Sequence, residues 1–161
     1  MIVVSDTSPI SNLVALGKLA WLETLFGEVV ISQEVYQELT QDEIAISGAQ
    51  VAIEAGWLII HQVDEQAAVH RLLRDVHIGE ASSIVLAREL AADFLLIDER
   101  AGSQLASQEG LRTIGVLGVL LEAKAAGLIN EVRPSLDRLR DEIGFWVSDS
   151  VYQYVLGLAN E

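Results

Sequence analysis

The chain contains no cysteine. Disulfides, cysteine-ligated zinc, iron–sulfur clusters and thiol catalysis are therefore excluded. No apolar run approaches the roughly 18–20 uninterrupted residues of a membrane span, so no membrane partner is expected. The opening Met1-Ile2-Val3-Val4-Ser5-Asp6 lacks the basic stretch of a secretory signal, and a cytoplasmic location is the expectation. Cations are scarce: ten Lys and Arg stand against 24 Asp and Glu, a formal net charge of −14. A sequence-blind grip on nucleic acid depends on cations that neutralise phosphates, and this balance argues against one. It leaves room for a basic protein partner, for acids that hold metal ions, or for plain surface charge that keeps the chain in solution.

Familiar catalytic motifs are missing too. There is no Gly-x-x-x-x-Gly-Lys-Ser/Thr loop, no Gly-x-Gly-x-x-Gly after a strand and no Gly-x-Ser-x-Gly elbow. His61, His70 and His77 have no zinc-ligand spacing. Trp21, Trp57 and Trp146 read as core or interface anchors rather than a base-stacking platform, because no basic residues interleave with them.

What remains is a chain of 161 residues, 51% apolar and 21% charged, suited to one compact domain over 1–161. Short apolar runs at Ile2–Val4, Val29–Ile31, Trp57–Ile60, Phe94–Ile97 and Thr113–Ile114 read as strands covered on both faces. Helical stretches separate them. Ser8 and Pro9 read as the cap and first residue of a helix broken at Gly17 and continued to Gly27. Ser32 caps a helix to about Leu39. The next stretch is interrupted at Gly48 and ends at Gly56. Further helices are expected over Glu80–Ala91, Glu99–Gln108, Val116–Ala126 and from Pro134 to near Gly144. Such alternation predicts a three-layer α/β/α fold with a mostly parallel central sheet.

Ligands of open parallel sheets bind at the carboxyl ends of the strands. Asp6 follows the first strand there, and Asp98 and Glu99 follow the fourth. Glu34 and Glu38 lie in the helix after the second strand, and Glu80 opens the helix before the fourth. Each acid alone has a structural explanation: Asp6 as a helix cap, Glu80, Asp98 and Glu99 as dipole partners, Glu34 and Glu38 as a solvated flank. Gathered at one edge without a lysine, they suit a hard cation such as Mg2+ or Mn2+.

The run from Val3 to Leu13, then Val35-Tyr36-Gln37-Glu38-Leu39, Gly79-Glu80-Ala81 and Leu95-Leu96-Ile97-Asp98-Glu99-Arg100, in that order, resembles PIN-domain proteins. The similarity is closest to their VapC-like branch and continues through Thr113–Lys124 and Gly127-Leu128-Ile129. It implies a metal-dependent ribonuclease, often the toxin of a toxin–antitoxin pair. Asp6, Glu38, Glu80 and Asp98 would then be catalytic metal ligands for Mg2+ or Mn2+, with Ser8, Asn12 and Glu99 in support. The implied partners are an RNA substrate and a small basic antitoxin. A homodimer is also expected, with Trp146, Val147 and Tyr152 as a candidate apolar contact. The chain departs from the pattern at Ser82, where a second acid is common, and at Ala101-Gly102-Ser103, where basic residues are common. Two rival functions use the same fold: a catalytically silent binding module and a structure-specific DNA nuclease.

Overall fold

The computed structural model describes residues 1–161. Five short strands, β1 (Val3–Ser5), β2 (Val29–Ser32), β3 (Leu58–His61), β4 (Phe94–Leu96) and β5 (Thr113–Ile114), form one sheet in the order β3-β2-β1-β4-β5. Every neighbouring pair is parallel. The strands are mainly apolar because both faces are covered, with Ser5, Ser32 and His61 at the carboxyl ends of β1, β2 and β3. Side chains alternate across a strand. Val3 and Leu96 accordingly join one buried cluster, and Val4 and Leu95 join another on the opposite face.

Ten α-helices surround the sheet: α1 (Thr7–Leu16), α2 (Trp21–Phe26), α3 (Gln33–Leu39), α4 (Glu43–Ala55), α5 (Gln66–Leu72), α6 (Ile78–Glu89), α7 (Arg100–Gln108), α8 (Val116–Ala125), α9 (Arg133–Arg138) and α10 (Asp149–Leu158). A π-helical turn, Leu139–Ile143, follows α9 and ends at Gly144, whose φ of 85° is left-handed. The larger cluster takes Ile10, Leu22, Val35, Ala49, Leu120 and Leu156 from α1, α2, α3, α4, α8 and α10. The smaller takes Val69, Ile84 and Ala106 from α5, α6 and α7. The architecture is the three-layer α/β/α fold that the alternation predicts, with a sheet that is parallel throughout. No helix is long and apolar enough to cross a membrane.

Three local expectations are corrected. First, Ser8 does not cap α1. The first strand runs one residue later than the apolar run suggests, so the chain turns at Asp6, which takes the cap position, and Pro9 becomes the third helical residue. Proline is tolerated there because the first four N–H groups of a helix have no intrahelical acceptor. Second, α10 closes the chain where no helix is expected from sequence; Ser148 caps it by accepting from the Val151 N–H at 3.1 Å. Third, Gly48 does not interrupt α4, which runs straight through it. A Cβ there would lie 2.7 Å from both γ-carbons of Val14 on α1. The glycine thus serves packing, letting two helices approach closely.

Gly48→Ala sets two effects against each other. Alanine improves helix propensity by about 1 kcal/mol, while overpacking costs roughly 1–3 kcal/mol. A net loss of up to about 2 kcal/mol is expected in denaturant unfolding. An unchanged or higher midpoint would show that Val14 moves aside freely.

The winding of the sheet positions the site. From β1 the chain moves to β2 and β3 on one side, then returns to β4 and β5 on the other. The direction reverses between β1 and β4, and such a switch point opens a crevice at the strands' carboxyl ends. The Asp6 N–H donates to the Leu96 carbonyl at 2.8 Å, tying these two strand ends together.

Candidate functional site

Asp6 occupies the cap position of α1, yet its side chain makes no capping hydrogen bond. Its carboxylate instead lines a cleft of about 290 Å3 together with Glu38, Glu80, Glu99, Thr7 and His77. No apolar residue lines that cleft. Glu38 comes from the last turn of α3, Glu80 from the first turn of α6, and Glu99 from the position just before α7. Asp98 opens on an adjoining cavity of about 580 Å3. Ser8 and Glu99 line both spaces. Glu34, one turn before Glu38, lines neither.

Neighbouring donors hold these acids. Asp98 is the most tightly fixed: its Oδ1 accepts from the Val116 N–H at 2.6 Å, and its Oδ2 from the Ser8 hydroxyl at 2.9 Å and the Asn12 amide at 3.5 Å. Asn12 also donates to the Ser8 oxygen at 3.2 Å. Ser8 and Asn12 are four apart, so they share one face of α1. The Thr7 hydroxyl donates to Glu38 Oε2 at 2.8 Å. Glu80 Oε1 accepts from the His77 N–H at 3.3 Å, with His77 Nδ1 3.5 Å away.

Thr7, His77 and the Val116 N–H escape a reading of the sequence. A polar stripe at Thr7, Ser8, Ser11 and Asn12 in an otherwise apolar helix is the signal that could have marked the first. His77 and Val116 carry no such signal, since they meet their acids only through the fold.

Three glycines leave room for the carboxylates. A Cβ on Gly79 would run into the Glu38 carboxylate, one on Gly102 into Glu80 Oε2, and one on Gly115 would sit 2.9 Å from Asp98 Oδ1. Gly102 stands where the resembling proteins commonly carry a basic segment. Here the position serves close packing of α7 against Glu80.

Burial dominates the electrostatics. Asp6 is 4% exposed, and its pKa is pushed from 3.8 to about 7. Desolvation is the main cause; the Thr7 N–H opposes it, and repulsion from Glu80, Glu38 and Asp98 adds to it. Burial also raises Glu80, against the His77 backbone hydrogen bond, with Glu99 and Glu38 adding repulsion. Asp98 is raised by burial as well, opposed by Val116, Ser8 and Asn12.

The donor set suits a hard divalent cation, since it is all carboxylate with hydroxyls beside it. Glu80 Oε2 is buried without a hydrogen-bond partner, a state that a cation or a proton would relieve. As the side chains stand, however, no three His, Asp or Glu groups meet around one point closely enough to hold an ion. The structure therefore brings all four acids to one edge without closing them into a ligand set. Glu80 has one oxygen on the His77 N–H and the other against Gly102, while Asp98 is held by Ser8, Asn12 and Val116. Mutual repulsion of neighbouring carboxylates favours such separation.

The candidate apolar contact near the C-terminus is corrected. Val147 and Tyr152 are buried, at 8% and 7% exposure. The Tyr152 hydroxyl donates to Asp137 at 2.6 Å, and the Arg140 guanidinium lies 4.2 Å from its ring. Only Trp146 is free, at 83% exposure, whereas Trp21 and Trp57 are core residues.

In comparisons with known proteins, a family model described as PIN domain matches residues 2–161. No curated protein and no solved structure matches the chain. PIN domains are generally nucleases and typically bind divalent metals. Because the match takes in all five strands and every acid at their carboxyl edge, the chain belongs to the PIN-domain family.

Proposed function

We propose that the protein is a metal-dependent endoribonuclease that hydrolyses RNA phosphodiester bonds and acts as the toxin of a toxin–antitoxin pair. One observation carries the nuclease reading. Four acids from four separate segments gather at the sheet's switch point, with Asp6 and Glu80 both buried and no lysine among them. Asp6, Glu38, Glu80 and Asp98 would hold Mg2+ or Mn2+. Such an ion supplies positive charge for the phosphate and lowers the pKa of an attacking water. The chain's own part is positioning. Ser8, Asn12 and the Val116 N–H orient Asp98, and Thr7 orients Glu38. No side chain is required as nucleophile, in keeping with the absence of cysteine and of any Ser–His pair at the site.

The test is cleavage of a mixed RNA pool and matched single-stranded DNA with Mg2+ or Mn2+, against EDTA. Cutting of RNA alone supports the reading. Cutting of DNA alone favours a DNA nuclease, and cutting in EDTA excludes a metal mechanism. A second reading, a silent binding module, is favoured by the open arrangement of the acids. Metal binding without cleavage of any strand would support it.

The partners proposed are a small basic antitoxin and a second copy of the chain. The −14 charge favours the first, and an arginine fork fits a carboxylate-lined cleft. For the second, Val151, Tyr154 and Leu158 stand exposed on one face of α10. Sedimentation after co-expression with the adjacent reading frame checks both. A lone monomer at high concentration would remove both.

A further inference from the structure

We infer that Trp146 and Arg100 form a subsite for a single-stranded nucleic acid beside the acid cleft, the indole stacking on a base and the guanidinium holding a neighbouring phosphate. The inference rests on the nuclease reading and assigns residues that hold the strand rather than cut it.

The cavity next to the acids is its basis. Its volume of about 580 Å3 lies within the roughly 300–1,000 Å3 of small-ligand sites. Asp98 and Glu99 form one wall, and Arg100, Phe145 and Trp146 contribute the rest together with apolar side chains. Ser8 and Glu99 belong to both this cavity and the acid cleft, so a strand leaving the acids enters it directly.

Trp146 is presented, not frayed. It is 83% exposed, although an indole gains more from burial than most side chains. Its loop is pinned on both sides. The Phe145 N–H donates to the Leu139 carbonyl at 2.8 Å, Val147 is buried at 8%, and Ser148 caps α10. The flat ring is therefore held in water by a fixed backbone at the mouth of the site.

Arg100 supplies the charge. It takes part in none of the six ion pairs, as is true of five other cations, and it is the one Lys or Arg that lines the cavity beside the acids. In a chain of net charge −14, an unpaired cation beside the acids lies where repulsion of a phosphate most needs offsetting. Exposed aromatic and guanidinium together match what alternates along a nucleic acid strand, bases and phosphates. Charge alone does not select the strand, since Asp98 and Glu99 oppose a phosphate that Arg100 attracts; the exposed indole beside the guanidinium, in a cavity that shares Ser8 and Glu99 with the acid cleft, does.

Anisotropy of labelled single-stranded RNA and DNA hexanucleotides, titrated with the whole protein in EDTA at low salt, reads binding apart from cleavage. Trp146→Ala is expected to weaken binding about tenfold or more, as loss of one stacked base does. Trp146→Phe should recover most of it, which a loss of general packing would not. Arg100→Gln should weaken binding and lower the salt slope by about one. Both side chains are solvent-facing, so the variants should retain the fold, which circular dichroism checks. Absence of wild-type binding, or equal affinity of Trp146→Ala, overturns the subsite even if RNA is cut with Mn2+. Trp146-dependent binding without cleavage keeps the subsite and removes the nuclease reading. If an arginine-bearing peptide binds through Trp146 and the hexanucleotides do not, the surface is a protein contact and the inference fails.

Discussion

At pH 8 and without metal, Asp6→Asn is expected to be more stable than the wild-type protein. The Asp6 carboxyl has its pKa raised from 3.8 to about 7, chiefly by burial and then by three neighbouring acids. Below pH 3.8 both folded and unfolded chains carry the proton. Between about 4 and 7 the folded chain keeps it while the unfolded chain has lost it. Stability therefore falls as pH rises through that window and stays low above it. The gap corresponds to an effect on the order of 4 kcal/mol, less whatever local relaxation recovers. Asparagine has nothing to ionise and also suits the helix-cap position. Thermal unfolding in EDTA from pH 4 to 8 should show a declining wild-type curve and a flatter variant curve, crossing to favour the variant at high pH. Superimposed curves would mean that Asp6 is solvated and the acids are not coupled. Mn2+ should stabilise the wild type by about 2.7 kcal/mol at a hundredfold excess over its dissociation constant, and Asp6→Asn by clearly less. Equal gains would place the ion elsewhere on the acidic surface.

Cleavage should show the opposite ranking. Asp6→Ala and Asp98→Ala are each expected to bring RNA cleavage to background, and the double variant to add little, because acids that hold one cation act as a unit. Residues that only orient an acid should cost less. Ser8→Ala removes a hydroxyl from Asp98 Oδ2 and leaves Val116 and Asn12 in place, so a fall of about 10–100-fold is expected. The Ser103 hydroxyl bonds only to Thr113 and the residue lines neither cavity, so Ser103→Ala should cut at the wild-type rate. Initial rates on a fixed RNA pool separate these classes. Residual cleavage in Asp6→Ala equal to that in Ser8→Ala would show that Asp6 holds no cation. The two experiments together describe a site where function and stability oppose each other, with Asp6 destabilising the empty fold through the property that suits it to a cation.

Strand and helix alternation was legible in the sequence because it depends on local period and on turn residues. Val3-Val4 and Leu95-Leu96 read as doubly covered strands, and they contribute to apolar clusters on opposite faces of the sheet. The acids were legible too, since a residue just past a parallel strand must lie at the carboxyl edge whatever the neighbours are. Asp6 and Asp98 stand at that edge for this reason, whereas Glu38 and Glu80 reach it from the last turn of α3 and the first turn of α6.

Contacts between distant segments were not legible. Nothing near Glu38 in the chain points to the Thr7 hydroxyl, and nothing near Asp98 points to the Val116 N–H. Gly48 read as a break because glycine weakens a helix; only the presence of Val14 opposite it makes it a packing residue. Trp146 read as an anchor because no basic residues interleave with the tryptophans, whereas the fold places Arg100 in the same cavity. Composition and period thus determined the layers, the parallel sheet and the acidic edge. Tertiary packing alone decided which donors hold each acid, how far apart the acids rest, and which ring faces water, because these depend on distances between segments that local sequence does not encode.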